Sequence, residues 1–175
     1  MPTAEPIAFR PVSIALLTVS DTRTPADDRS GDLLAERIES AGHRLADRRI
    51  VTDDASLIVA VLHGWIDDEG IDCIVTTGGT GLTGRDVTPE ALDRVKTKDI
   101  PGFGELFRWL SYAKIGVSTI QSRACGVVAR GTFIFALPGS PSACADGWDG
   151  ILAAQLDLRH RPCNFAQLMP RLTER

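Results

Sequence analysis

From residue 11 onward the chain alternates short apolar runs with stretches whose apolar positions recur at helical spacing, a pattern that predicts a layered α/β domain. Ser13-Ile14-Ala15-Leu16-Leu17-Thr18-Val19-Ser20 reads as a buried strand. Ser30-Gly31-Asp32 then opens a helix, because Leu33, Leu34, Arg37, Ile38 and Ala41 follow at helical spacing and Gly42 supplies a stop. Arg48 to Thr52 predicts a second strand. The run from Leu57 to Ile66 predicts a second helix, with apolar positions 58, 61, 62, 65 and 66 on one face and an end near Gly70. Asp72 to Thr77 is a third strand that runs straight into Gly78-Gly79-Thr80-Gly81-Leu82-Thr83-Gly84. A helix starts at Thr88-Pro89-Glu90, where a capping residue precedes proline, so the glycine stretch is a long irregular loop. Pro101-Gly102-Phe103-Gly104-Glu105 punctuates the chain ahead of an aromatic helix, Leu106 to Tyr112. Thr132 to Leu137 is a further strand. It ends in Pro138-Gly139-Ser140-Pro141, where Ser140 can cap and Pro141 can start a final helix carrying Trp148, Ile151, Leu152, Gln155 and Leu156.

Composition narrows the class. A length of 175 residues, 43% hydrophobic and 24% charged, suits one globular core, predicted over residues 11–170 between tails at 1–10 and 171–175. The longest apolar runs are strand-length, short of the ~18 residues needed to cross a bilayer. The opening MPTAEPIAFRP carries Glu5 and three prolines where a secretory signal needs a basic start and a continuous apolar stretch, so the expected location is the cytoplasm. With 19 basic against 23 acidic side chains and a net charge of −4, the chain lacks the basic footprint of a nucleic-acid binder. Cys73, Cys125, Cys144 and Cys163 form no C-x-x-C pair, and the 3 histidines make no H-E-x-x-H. Reduced, mostly structural cysteines follow.

Three strand ends carry unusual residues: Thr18-Val19-Ser20-Asp21, Gly78 to Asp86, and Pro138 to Pro141. In an open α/β sheet ligands bind outside the carboxyl ends of the strands, so these three should open on one edge. Closely spaced glycines let backbone N–H groups approach an anion, and Thr76, Thr77 and Thr80 add hydroxyls that a plain connector does not need. Gly79-Thr80-Gly81-Leu82-Thr83-Gly84 formally matches G-x-G-x-x-G. The helix begins only at Thr88, however, and no acidic strand end follows ~20 residues on, so a dinucleotide-dependent oxidoreductase is a distant alternative. A P-loop fails at both closing positions, which are Arg85 and Asp86. A carboxylate beside a phosphate-cradling loop repels the anion unless a cation stands between, which suggests magnesium held by Asp86 with Asp53 or Asp54. The competing assignment makes Asp86 the cap of the helix at Thr88 and Asp53 the cap of the helix at Leu57.

Thr76-Thr77-Gly78-Gly79-Thr80-Gly81, Arg85-Asp86-Val87-Thr88-Pro89-Glu90, Pro101-Gly102-Phe103-Gly104-Glu105 and Leu137-Pro138-Gly139-Ser140-Pro141, in this order, resemble the molybdopterin-binding domain of molybdenum cofactor biosynthesis proteins. The resemblance covers roughly residues 10–170. Ile120-Gln121-Ser122-Arg123-Ala124 and Arg161-Pro162-Cys163-Asn164-Phe165 look most like the MoaB branch rather than MogA. The resemblance implies a three-layer α/β/α sandwich with a mostly parallel central sheet, assembled as homotrimers or as homohexamers. It implies molybdopterin as ligand and, in the better-defined members, transfer of AMP from Mg-ATP onto the molybdopterin terminal phosphate with release of pyrophosphate, before a partner protein inserts molybdate. The catalytic, magnesium-linked aspartates of those members match Asp53 and Asp86. The loop from Gly78 to Gly81 would hold the pterin phosphate, and the turns at Ser20-Asp21, Ser30-Gly31 and Gly139-Ser140 would shape the pterin and nucleotide pocket. One departure stands out: the adenylylating members usually place proline before the aspartate, where this chain has Thr52.

In such a reaction catalysis comes from positioning and charge neutralisation rather than a protein nucleophile. Arg85 and Arg123 are candidate phosphate contacts, each equally able to pair with a neighbouring acid. A non-catalytic molybdopterin carrier with the same pocket is the alternative. Phe103, Phe107, Trp109, Leu110 and Tyr112 crowd more apolar surface into one stretch than one helix side can bury, so part of it is expected either to close the core or to face a neighbouring copy.

Overall fold

A computed structural model describes residues 6–174. Six strands form one sheet in the order β2-β1-β3-β6-β5-β4: β1 (Ser13–Val19), β2 (Arg44–Val51), β3 (Cys73–Thr77), β4 (Lys98–Asp99), β5 (Cys125–Ala129) and β6 (Thr132–Leu137). β2, β1, β3 and β6 run parallel, whereas β5 is antiparallel to both β6 and β4. β3 and β6 are buried along their whole length, as strands covered on both faces must be. β2 lies at an edge and stays partly exposed, with Arg44, Asp47, Arg48 and Arg49 along it.

Helices α1 (Arg29–Ser40), α4 (Pro101–Ile115) and α5 (Pro141–Gly147) cover one face. There Leu34, Ile38, Phe103, Phe107 and Trp148 pack over Leu16, Val75, Phe133 and Phe135. Helices α2 (Ala55–Ile66) and α3 (Thr88–Val95) cover the other face, with Ile58, Leu62, Trp65, Ala91 and Leu92 over Leu17, Ile74 and Ile134. The molecule is therefore the three-layer α/β/α sandwich anticipated above. The chain leaves β1 through α1 on one face and returns to β3 through α2 on the other. The β1–β3 boundary is thus a topological switch point, where the following loops part and leave a crevice.

Several boundaries differ from the sequence expectations. α1 starts at Arg29, capped by the Asp28 carboxylate on the Gly31 amide, so Ser30 lies within the helix. β2 begins at Arg44 rather than Arg48, its partly exposed pattern hiding its first half. Pro101 to Glu105 is the first turn of α4 itself, with proline at a position that needs no N–H donor. α5 continues through a π turn at Trp148–Leu152 into α6 (Ala153–Gln155), followed by α7 (Phe165–Leu168). At the N-terminal side Val12 is buried and Phe9 lies 5.3 Å from the His43 ring. Residues 1–5 and 175 of the predicted tails lie outside the described residues, and Leu172 packs against the core. Among the described residues no helix is long and apolar enough to cross a membrane, and all four cysteines are free.

Candidate functional site

At the switch point a cavity of about 490 Å³ opens beyond the strand ends. Val19 and Ser20 at the end of β1, Gly78 to Gly81 after β3, and Pro138 to Ser140 after β6 all line it. The three strand ends singled out in the sequence therefore converge, because β1, β3 and β6 are parallel neighbours. Asp53 from the β2–α2 turn, Asp86, and Phe107, Ser111 and Ile115 of α4 complete much of the wall.

The glycine loop is held by its surroundings. Gly78 has φ +99°, and a Cβ there would fall far inside 3.0 Å of the Val19 carbonyl oxygen. Gly79 has φ +68°, with its missing Cβ aimed at Thr88 Oγ1 and 3.2 Å from Asp53 Oδ1. Only glycine meets both demands, a left-handed backbone and a bare approach to the neighbouring strand. Thr88 ties the loop to α3, its hydroxyl donating to the Gly78 carbonyl at 2.9 Å and its amide to the Gly79 carbonyl at 3.0 Å. From the other side Arg123 donates Nε to the Gly81 carbonyl at 2.7 Å and Nη2 to the Asp86 carbonyl at 2.8 Å, while its fork also grips Glu90. These donors draw the loop carbonyls of Gly78, Gly79, Gly81 and Asp86 into the protein.

The two aspartates differ in environment. Asp54, not Asp53, caps α2, accepting from the amides of Ser56 at 2.8 Å and Leu57 at 3.0 Å. Asp86 does not cap α3 either: its Oδ2 accepts from the amide and hydroxyl of Thr83, at 2.8 and 2.7 Å, and so closes the loop on itself. Both alternative capping roles are therefore excluded, and both carboxylates face the cavity. Burial, joined by the negative charge of Asp21 and then Asp86, raises the Asp53 carboxyl above its ordinary range. At Asp86 desolvation pulls the same way but is outweighed by the Thr83 hydrogen bonds, so its carboxyl titrates low. Two carboxylates on one cavity could supply oxygen ligands of the kind Mg²⁺ accepts. Among the described residues no cluster of three or more metal-ligating side chains occurs.

Other candidates fall elsewhere. Thr80 lines the cavity, whereas Thr76 and Thr77 are buried within the sheet. The Thr77 hydroxyl is spent on the Pro138 carbonyl at 3.0 Å. Ser30 and Gly31 lie against Asp28 and Arg23 beneath the wall, and Pro141 opens α5 behind it. Asp21 and Arg85 form an exposed bidentate pair, at 2.9 and 2.7 Å, and Asp21 Oδ1 also accepts from the Asp53 amide at 3.1 Å. Arg85 thus steadies the Asp53 turn, and Arg123 steadies the glycine loop. The sequence reading missed Arg23, which lines the cavity, as well as Gln121 and Ser122 from the 3₁₀ turn Gly116–Gln121 and its exit. The sole sequence signal for Arg23 was its place two residues after Asp21, just past the β1 end. A second cavity of the same size lies at the opposite end of the sheet. There Arg130 pairs with Asp67 at 2.9 Å and Asp72 accepts from the Ser13 amide at 2.9 Å.

Sheet order, switch-point cavity, glycine loop and paired aspartates define the class: residues 15–158 match the model of a family described as a probable molybdopterin binding domain, and the chain belongs to that family. Within it the likeness is to the MoaB branch of the molybdenum cofactor biosynthesis proteins. The chain is 48% identical over 157 residues to molybdenum cofactor biosynthesis protein B of Escherichia coli K12, covering 90% of this chain and 92% of that one. A crystal structure of a molybdenum cofactor biosynthesis protein B superposes with a TM-score of 0.86 at 36% identity, covering 97% of this chain and all of that one (100%). The tungsten cofactor synthesizing protein MoaB from Pyrococcus furiosus gives a TM-score of 0.74 at 34% identity, over 83% of this chain and 93% of that one.

Proposed function

We propose that this protein binds molybdopterin in the switch-point cavity and transfers AMP from Mg-ATP onto its terminal phosphate. The observation that carries the reading is the convergence of the glycine loop with Asp53 and Asp86 on one cavity. A terminal phosphate oxygen attacks the α-phosphorus of ATP. A new P–O bond forms, the bond from that phosphorus to the β-phosphate oxygen breaks, and pyrophosphate leaves with the electron pair. No protein nucleophile is needed, and the chain's work is to bring two polyanions together and hold them in line. Bare amides of the glycine loop approach the phosphate, and Asp53 and Asp86 would hold Mg²⁺. When bound, that ion neutralises the charge that otherwise keeps the two phosphates apart. Pyrophosphate release from Mg-ATP in the presence of molybdopterin tests the reading. The wild type should turn over, and Asp86→Asn and Asp53→Asn should lose at least ~100-fold; undiminished turnover by either variant removes that carboxylate from the mechanism.

A second reading, a non-catalytic molybdopterin carrier, draws on Thr52 standing where the adenylylating members place proline. Tight molybdopterin binding by a wild type that forms no adenylylated product would establish it. The dinucleotide reading gains nothing from the geometry, since Gly84 has no atom within 4 Å of where a Cβ would lie and packs no helix on a strand. Self-association is part of the proposal. Phe103 and Phe107 close the core, but Trp109, Tyr112, Ile115, Val117 and Ile120 stand exposed, Ile120 by 81%. Exposed large apolar side chains gathered in one stretch of chain are the kind that copies of a chain cover. Sedimentation at micromolar concentration should give a trimer or a hexamer, and a monomer contradicts it.

A further inference from the structure

We propose that Arg23 is the phosphoryl-recognising cation of the cavity, held ready by the Ser30 hydroxyl and the Gly139 carbonyl with the buried Asp28 behind it. The proposal deepens the phosphate-ligand reading above and rests on it.

Among the described residues lining the cavity Arg23 is the sole lysine or arginine. Three arginines stand near the strand-end loops, and they differ in what their forks hold. Arg85 gives its fork to the Asp21 carboxylate. Arg123 gives its own to Glu90 and to loop carbonyls. Arg23 instead donates Nη1 to the Ser30 hydroxyl and Nη2 to the Gly139 carbonyl, the latter at 2.7 Å, and both acceptors are neutral. Of the five guanidinium N–H groups three remain uncommitted.

Asp28 is the nearest carboxylate, with Oδ1 3.6 Å from Arg23 Nη1. It is fully buried, and other donors already satisfy it: Arg48 Nη2 at 2.7 Å, the Thr18 hydroxyl at 2.8 Å and the Gly31 amide at 3.1 Å. Asp28 Oδ2 is engaged by Arg48, whose Nη2 also lies 2.8 Å from Asp32, and Arg23 keeps its three uncommitted N–H groups for whatever enters the cavity. The Arg23 amide donates to Ser20 Oγ at 3.2 Å, which fixes the start of the side chain on the β1 end. The cation therefore comes from the α1 and α5 side of the sheet, while Asp53 and Asp86 come from the α2 and α3 side. A phosphoryl group between them meets a fixed guanidinium on one flank. On the other it would meet Asp53 and Asp86, the residues that would hold a Mg²⁺ ion.

The phosphoryl group could be that of the pterin or of the nucleotide, so the test uses two ligand pairs. Dissociation constants are measured calorimetrically for molybdopterin against its dephosphorylated form, and for ATP against adenosine, on wild type, Arg23→Gln and Arg23→Lys. In wild type the phosphorylated member of at least one pair binds more tightly. Arg23→Gln should erase about tenfold or more of that advantage in one pair while leaving the affinity for its dephosphorylated member intact. The pair affected names the source of the phosphate. Arg23→Lys, which keeps the charge without the fork, should retain part of the advantage. If Arg23→Gln keeps the full advantage in both pairs, or weakens both members of each pair alike, Arg23 does not recognise phosphate and the proposal is overturned. A wild type that binds none of the four ligands overturns the molybdopterin reading itself, a result distinct from either of those.

Discussion

Gly78 offers the sharpest test of how the glycine loop is built. Its φ is +99°, its amide donates to the Leu137 carbonyl at 3.0 Å, and its carbonyl accepts from Thr88 Oγ1 at 2.9 Å. Pinned at both ends, the residue cannot rotate out of the left-handed region without giving up hydrogen bonds to β6 and α3. In Gly78→Ala the backbone strain costs ~1–3 kcal/mol. The added methyl meets the Val19 carbonyl, which is backbone at the end of β1, one residue past the last β1–β3 pair, and has no flexible end to swing away. Forcing the two strand ends apart costs a further ~1–3 kcal/mol. A total near ~4 kcal/mol is a large part of the ~5–15 kcal/mol that holds a domain together. With a urea slope of ~2 kcal/mol per M, the unfolding midpoint should fall by ~2 M, read from tryptophan fluorescence. Gly84→Ala, in the same loop but with no heavy atom within 4 Å of its Cβ position, should shift stability by no more than ~0.5 kcal/mol. If the two variants unfold at the same urea concentration, the close approach of β1 to the loop is not what requires glycine at 78.

Asp28→Asn should cost ~2–3 kcal/mol, because the Thr18 hydroxyl, the Gly31 amide and Arg48 lose a charged acceptor while Arg48 keeps Asp32 at 2.8 Å. Burial works against ionisation at Asp28, but Arg48, Thr18 and the Gly31 amide overcome it, so its carboxyl lies below the ordinary value of 3.8. The stability it contributes is therefore present above pH 3.8 and lost as pH falls below it. Thermal melts should show a steeper acid decline in wild type than in the variant, and parallel curves would exclude the linkage. His43 is lowered from its ordinary 6.5 by burial, against a weaker raising effect of Asp157, and its Nδ1 accepts from the Val12 amide at 3.2 Å. The unfolded chain then binds the proton first, so stability should drop as pH falls below 6.5. His43→Asn, which keeps an acceptor but does not titrate, should flatten that part of the melting profile. Arg123→Ala removes the donors that hold the Gly81 and Asp86 carbonyls, at ~2–3 kcal/mol, and should speed tryptic cleavage after the exposed Arg85. An unchanged cleavage rate would show that the loop holds without the clamp.

Much of this architecture is legible in the sequence because parallel strands covered on both faces leave continuous apolar runs. β1, β3 and β6 announce themselves in that way, and Pro141 after Ser140 marks the start of α5. β5 does not. Cys125-Gly126-Val127-Val128-Ala129 is short and interrupted by glycine. Its turn to β6 uses Arg130 and Gly131, both at positive φ, where the usual signal is Asn-Gly or Asp-Gly. β4 has 2 residues and no pattern at all. In the site, glycines and strand-end aspartates carry local signals. The division of labour among the arginines carries none, since it depends on residues far away in the chain: Arg123 reaches Gly81 and Asp86, and Arg23 reaches Gly139. Composition could count cations near the loop but not say which one lines the cavity.

That division has a physical basis in the order of the strands. At the β1–β3 switch point the helices diverge to opposite faces, so residues that meet in the crevice arrive on separate layers with separate supports. Asp53 and Asp86 depend on the α2 cap at Asp54 and on the turn at Thr83. Arg23 depends on Ser20, Ser30 and the Gly139 carbonyl. Arg85 and Arg123 each reach across to an acid, Asp21 and Glu90, whereas Arg23 gives its fork to the Ser30 hydroxyl and the Gly139 carbonyl and not to Asp53 or Asp86. Keeping them on opposite walls leaves each unsatisfied by the other. A phosphate with its metal ion is the chemical group that can satisfy both at once.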